Sequence, residues 1–215
     1  MFVITADQID SRHDRDRATE MIADLVGRHE AAFALPPDQT SGDEIQLLVP
    51  DAADAFNVLL DLHRTGFWSV GLGIGRIRTP LPATTRQATG DAFIAARDAV
   101  TRAKRAEARF ALETPALTDA DAAPRGSDSP GTSTTAEVEA LVSMLLLLRQ
   151  RRTIEGWAAV DLLESGLAQT AIARRLGIST AAVSQRVKTS QWKVERAAHP
   201  ALVRLLQNLD RDTSE

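Results

Sequence analysis

Apolar and polar positions change period along this chain, and the changes mark its elements. Phe2 to Ile9 reads as a strand. Asp14 to Glu30 reads as a helix, with Met21, Ile22, Leu25 and Val26 on one face. Ala31 to Leu35 and Ile45 to Val49 read as two strands; Pro36-Pro37 and Ser41-Gly42-Asp43 between them supply turn chemistry for a hairpin. Asp51 to Thr65 reads as a helix opened by Pro50 and Asp51, with Phe56, Leu59, Leu60 and Leu62 as its apolar set. Phe67 to Ile77 reads as a glycine-rich strand, Gly90 to Arg109 as a helix, and Phe110 to Leu112 as a short strand. The order β-α-β-β-α-β, then a helix and a strand, predicts an α+β fold with a ferredoxin-like arrangement.

From Glu113 to Thr135 the pattern stops. The segment is rich in Pro, Gly, Ser, Thr and Asp and lacks the apolar surface needed to offset ordering entropy, so a flexible linker is expected. Beyond it everything reads helical: Glu137 to Arg152 with its Leu145–Leu148 run, Glu155 to Ser165, then a helical pair. The predicted division is therefore a mixed domain at 1–112, a linker at 113–135 and a helical domain at 136–215. The Leu145–Leu148 run suits either an ordinary buried helix or a helix that packs on a second copy.

The helical pair carries the clearest chemistry. Gln169 to Leu176 forms its first helix. Gly177 stands at the turn, where a positive φ is cheap only for glycine. Ala173, four residues earlier, is small enough for a second helix to cross closely. Ile172, Leu176, Ile178, Val183 and Val187 provide the locking faces, and Ser179 or Thr180 can cap the second helix. That helix, within Ser179 to Ser190, turns Thr180, Ala181, Ser184, Gln185 and Lys188 outward; Arg174, Arg175 and Arg186 add charge nearby. Short polar, amide and basic groups suit phosphates and base edges. The stretch 168–190 resembles the helix-turn-helix of bacterial regulators, including region four of sigma factors. It predicts binding to double-stranded DNA through Gln169, Arg174, Arg175, Ser179, Thr180, Ala181, Ser184, Gln185, Arg186 and Lys188. A generic helical pair packed on protein is the alternative.

Charge changes this picture only when the chain is divided. Its net charge is −4. Residues 1–135 hold 14 basic and 20 acidic side chains, whereas 149–215 hold 11 and 7. The positive end is the end with the helical pair, where a polyanion is best met. An acidic companion domain weakens nonspecific DNA binding, so a homodimer reading a restricted site is expected. There is no cysteine, which excludes disulfides and thiolate metal sites and suits a cytoplasmic location. No run of about 18 apolar residues occurs, so no membrane span is expected. His13, His29, His63 and His199 show no metal-ligand spacing, and Trp68, Trp157 and Trp192 read as core or interface residues.

Three short stretches carry candidate chemistry in the first domain: Thr5 to Arg12, with Asp7 and Asp10 near a strand end; Ser41 to Ile45, with Asp43 and Glu44 at a hairpin tip; and Gly90 to Arg97, opening a helix after Gly71–Gly75. Each also has a plain structural use, as a helix cap, a turn, a close-packed strand or a surface ion pair. They resemble the catalytic domain of class III nucleotide cyclases and, more distantly, the GGDEF domain. That resemblance implies Asp7 and Asp43 as ligands of Mg²⁺ and Arg97 as a phosphate-stabilising group. The chain departs from the cyclase pattern at Phe93 and Ile94, where the ribose-binding Asn would stand, and offers no evident purine-reading Lys. A degenerate domain that senses a nucleotide without turning it over is thus expected, with Asp7, Asp10, Arg12, Asp43, Glu44 and Arg97 at its ligand site. An active cyclase or related phosphoryl-transfer enzyme tethered to DNA is the alternative.

Over residues 1–112 the chain is similar to the SatD family of bacterial proteins, through Asp7-Gln-Ile-Asp-Ser-Arg12, the Gly-Asp-Glu hairpin and Ala92-Phe93-Ile94-Ala95-Ala96-Arg97 with one residue inserted. That similarity implies a regulatory role and, in some members, an appended helix-turn-helix.

Overall fold

The computed structural model describes residues 1–40, 42–115 and 133–214. It is a mixed α+β structure with one five-stranded sheet and eight α-helices among the described residues. Two compact units are formed, Met1–Ser143 with Leu202–Glu215, and Met144–Ala201.

In the first unit the strands are β1 (Phe2–Gln8), β2 (Asp38–Gln39), β3 (Glu44–Val49), β4 (Trp68–Ile74) and β5 (Phe110–Glu113). Their order across the sheet is β2-β3-β1-β4-β5. β1 is antiparallel to both β3 and β4, β2 is antiparallel to β3, and β5 lies parallel to β4. Thr5 stands between Gln46 and Gly71, and Asp7 between Glu44 and Ser69. Alternation then sorts the side chains. Phe2, Ile4, Ala6, Leu47, Trp68 and Leu72 share one face, and all are buried. The helices α1 (Ala18–His29) and α2 (Ala52–Arg64) pack there.

The other face is built around glycine. α3 (Asp91–Ala103) crosses β4 so closely that a Cβ on Gly71 would lie 2.2 Å from Val100 N, and one on Gly73 2.2 Å from Ala92 O. The helix supplies matching small residues: Ala92, Ala96, Ala99 and Ala103 are all buried. The larger side chains of Val3 and Leu48 close the same layer.

Local chemistry sets the boundaries. Asp51 caps α2 by accepting Ala53 N at 2.7 Å and Asp54 N at 3.1 Å. The first helix begins at Ala18 rather than Asp14. Gln8 reaches across to bond Arg15 O (2.8 Å) and Arg17 N (3.0 Å), and Asp16 takes Ala18 N (2.8 Å), so these groups are occupied outside the helix. The expected strand at Ala31–Leu35 is absent. Glu30–Ala32 forms a single 3₁₀ turn, and the hairpin partner of β3 is instead Asp38–Gln39, after the two prolines. Ser41 lies outside the described residues. α3 stops at Ala103, six residues before the expected end, and Arg109 takes a positive φ of 51° before β5.

The units do not divide at 112 and 136. α4 (Thr135–Gln150) enters the first unit at its start because Glu139 Oε2 accepts Leu112 N at 2.7 Å, satisfying an amide of edge strand β5. Arg102 bridges Glu139 and Glu113, and Asp210 pairs with the terminal amine of Met1. Those charges commit residues on both sides of the helical segment to the sheet domain. Of the expected linker, 116–132 lie outside the described residues, Glu113 belongs to β5, and Thr135 begins α4.

The second unit holds the rest of α4 with α5 (Ile154–Glu164), α6 (Gln169–Leu176), α7 (Thr180–Thr189) and the start of α8 (Trp192–Ser214). Leu145 and Leu146 are buried, and Leu147 and Leu148 half-buried. No helix among the described residues is long and apolar enough to cross a membrane.

One exposed glycine tests the local reading. Gly27 sits inside α1 without a positive φ, and nothing lies within 4 Å of the Cβ that an alanine would add. Gly27→Ala is therefore expected to raise stability by about 0.5–1 kcal/mol, through the smaller entropy of the unfolded chain. A denaturant melt of the variant checks the sign.

Candidate functional site

The second unit is built to present one helix. Its core is Ala159, Ile172, Ala173, Val183 and Val187, with Leu176, Ile178 and Trp192 packed around them. α6 ends at Gly177, whose φ of +66° is left-handed. Ile178 N then bonds Ala173 O at 3.0 Å and Gly177 N bonds Arg174 O at 3.4 Å. This pair of bonds is the Schellman closure that glycine makes cheap, and it satisfies carbonyls left over at the helix end. Ser179 caps α7, its hydroxyl accepting Ala182 N at 3.1 Å. Of the two candidate caps, the serine takes the role and Thr180 becomes the first helical residue.

With Val183 and Val187 buried, the helical period turns Ala181, Ser184, Gln185 and Lys188 to the opposite side, and all four are exposed, as is Thr180. Arg174 and Arg175 are exposed on α6; Arg174 Nε reaches Thr170 O at 3.4 Å. Gln169 and Arg186 are half-buried. Among the described residues none of Arg174, Arg175, Arg186 and Lys188 has a carboxylate oxygen within 4.0 Å. Unit Met144–Ala201 carries nine basic and four acidic side chains. The surface around α7 therefore carries more cations than carboxylates, although Glu155, whose pKa its own backbone amide lowers most, lies close enough for Arg186 to lower it further.

Behind α7 lies a buried charged cluster that periodicity does not reveal. Arg152 Nε and Nη2 bond Ser190 O, the C-cap of α7, at 3.0 and 2.7 Å. Its Nη2 also meets Glu195 Oε2 at 2.6 Å, and Arg149 Nη1 meets Glu195 Oε1. Both guanidinium groups stack on Trp157, at 4.9 Å for Arg149 and 4.2 Å for Arg152. The only sequence signal was basic residues at an otherwise apolar helix end; their partner is more than forty positions away.

His199, in the same unit, is half-buried, and burial pushes its pKa below the ordinary histidine value; Arg196 and Arg149 act in the same direction against Glu195 and Glu164. The unfolded chain then binds the proton more readily. Stability from this group is present above about pH 6.5 and is lost as pH falls through the lowered value. Denaturant melts at pH 7.5 and 5 are expected to show a larger acid loss in the wild-type protein than in His199→Gln.

Asp7 and Glu44 stand opposite each other on β1 and β3, with Asp43 next to Glu44, whereas Arg97 stands apart from them. Asp7 Oδ1 is bonded to Lys104 Nζ at 2.7 Å, a partner unrecognised because it lies 97 positions away. Glu44 accepts from Thr40 Oγ1 at 2.6 Å. Asp10 takes a positive φ of 57° in the loop after β1, and Arg12 is exposed there. Asp43 is half-buried, and its carbonyl accepts Gln8 N at 3.1 Å. Arg97 is elsewhere, two turns before Lys104 on α3, beside Arg78 and Gln46. No group of three or more His, Asp or Glu among the described residues is placed to hold a metal. Asp7 Oδ1 meets the Lys104 ammonium here, while Asp43 sits in the adjacent turn.

No protein-family model, curated protein or solved structure matches this chain.

Proposed function

We propose that the protein is a DNA-binding transcriptional regulator. In this reading α6 and α7 are a helix-turn-helix, and α7 is the helix that enters the major groove of double-stranded DNA. The observation that carries it is the exposed face of Ala181, Ser184, Gln185 and Lys188, flanked by the exposed Arg174 and Arg175. A helix that packed on its own chain would bury that face. Ala181 leaves room for close approach or contact with a thymine methyl, Gln185 is an amide of the kind that reads adenine, and Lys188 reaches phosphate. A single short helix reads few base pairs, so the working form is a homodimer on two half-sites.

For the first unit we propose a ferredoxin-like core. The order β2-β3-β1-β4 with antiparallel neighbours, and α1 and α2 on one face, supports it. β5 and α3 are additions to that core. Its role here is regulatory and not catalytic.

The test is fluorescence anisotropy against a library of genomic fragments at moderate salt. Sequence-selective binding is expected. Gln185→Ala should lose about 1–3 kcal/mol on the selected site and relax its preference. Lys188→Ala should weaken all sequences alike and lower the salt slope by about 1. A folded protein that shows no selectivity overturns the reading.

A further inference from the structure

A groove of about 460 Å³ opens in the first unit between the start of α3 and the loop that precedes it. Its floor is Gln46 of β3, only 5% exposed. The Gln46 side chain makes no hydrogen bond to any described residue, and Thr5 Oγ1, directly across the strand ladder, is buried with no partner either. The Gln46 amide faces the open groove, where an entering molecule can bond to it. Phe93 and Ile94 form an apolar wall, and Ile94 is 65% exposed although it lies in a helix whose other apolar face is well packed.

Three arginines reach the same groove. Arg86 is fixed by Asp38, with Nε at 2.7 Å from Oδ2 and Nη2 at 2.5 Å from Oδ1. That contact holds the Asp38 carboxyl below the usual carboxylate range. Arg78 and Arg97 are different: both are exposed, and neither has an ion-pair or side-chain hydrogen-bond partner among the described residues. Asp91 and Asp98 also line the rim, and Asp91 is drawn to Arg76 at 3.9 Å. With Arg76 and Asp38 counted, four cations face three carboxylates.

We infer that this groove binds a small phosphorylated molecule whose organic body carries hydrogen-bond donors. The free forks of Arg78 and Arg97 suit phosphate oxygens, which a guanidinium meets with two parallel bonds. Asp98 and the Gln46 carbonyl accept from hydroxyl or amino groups of the body, and Phe93 and Ile94 cover its apolar surface. The volume falls within the range of about 300–1,000 Å³ found for small-molecule sites. A bare inorganic anion leaves Gln46 unbonded, so the organic body distinguishes the true ligand. The inference does not depend on the DNA-binding reading, because the groove and α7 share no residue.

Calorimetry on the full chain tests it, with inorganic phosphate, glucose 6-phosphate and AMP as probes and glucose and adenosine as their uncharged parents. At least one organic phosphate is expected to bind at least tenfold more tightly than its parent and than inorganic phosphate. Arg78→Ala and Arg97→Ala should each weaken it tenfold or more. Both side chains are exposed, so melting temperatures should stay at the wild-type value. Gln46→Leu should weaken the organic phosphate and leave inorganic phosphate unchanged. Lys188→Ala should have no effect on any probe, although it impairs DNA binding. The inference is overturned if no probe binds, if binding survives the double arginine substitution, or if it is lost with Lys188.

Discussion

Glu195→Gln is expected to destabilise the protein by about 3–5 kcal/mol, the cost of leaving buried charge uncompensated. Glu195, Arg149 and Arg152 are each 7% exposed or less, so water cannot screen what the substitution removes. One carboxylate serves two guanidinium groups. Trp157 stacks on both guanidinium groups, and the Ser190 carbonyl accepts from Arg152. Glutamine keeps the shape and one acceptor and deletes the charge. Both buried guanidinium groups would then lose the carboxylate they share. Replacing all three members together, as Arg149→Met, Arg152→Met and Glu195→Leu, should cost far less, because no charge is stranded. Urea unfolding followed by tryptophan fluorescence distinguishes the two. If Glu195→Gln shifts the midpoint no more than the triple variant, the charge account fails. DNA affinity should fall further in Glu195→Gln than a stability loss explains, since Arg152 holds the last carbonyl of α7.

Gly73→Ala is the second large effect, at about 3 kcal/mol, the upper end of the range for overpacking. The added Cβ would meet Ala92 O at 2.2 Å, Ala96 N at 2.3 Å and Ala96 Cα at 2.8 Å. All three are backbone atoms, so no rotamer change relieves the clash, and α3 must lift from the sheet. Lifting it would also open the small-residue layer that Ala92, Ala96, Val3 and Leu48 close. Gly71→Ala should behave likewise, since its nearest atoms are Val100 N and Ala96 O. Gly27→Ala is the contrasting control with the opposite sign. A thermal melt that finds Gly73→Ala neutral would show that α3 packs less closely than 2.2 Å implies.

Much of the architecture was legible because it repeats locally. The apolar run that opens Phe2–Gln8, the cap at Asp51 and the 3.6-residue period of α2 each occupy one short stretch. The α6–α7 pair was legible to the residue at α6, since Gly177, Ser179 and five apolar positions all fall close together. The candidate sites of the first unit were not legible in that way. The resemblance to nucleotide cyclases implied Asp7 as a metal ligand; in the fold its bonded partner is Lys104, brought in by α3. Arg97 looked like a companion of Asp7 but stands with Arg78 and Gln46. The expected strand at Ala31–Leu35 failed because apolar composition there does not say which residues reach the edge of β3.

What the chain settled alone was everything governed by bonds between near neighbours: where helices are capped, where glycine permits a left-handed turn, and which side of α7 is free of large apolar groups. Folding decided the rest. Which acid meets which base, whether an arginine is neutralised or left open, and where one unit ends all depend on contacts tens of residues apart. Such contacts carry no periodic signature, because their energy comes from burial and charge in three dimensions and not from the order of residues along the backbone.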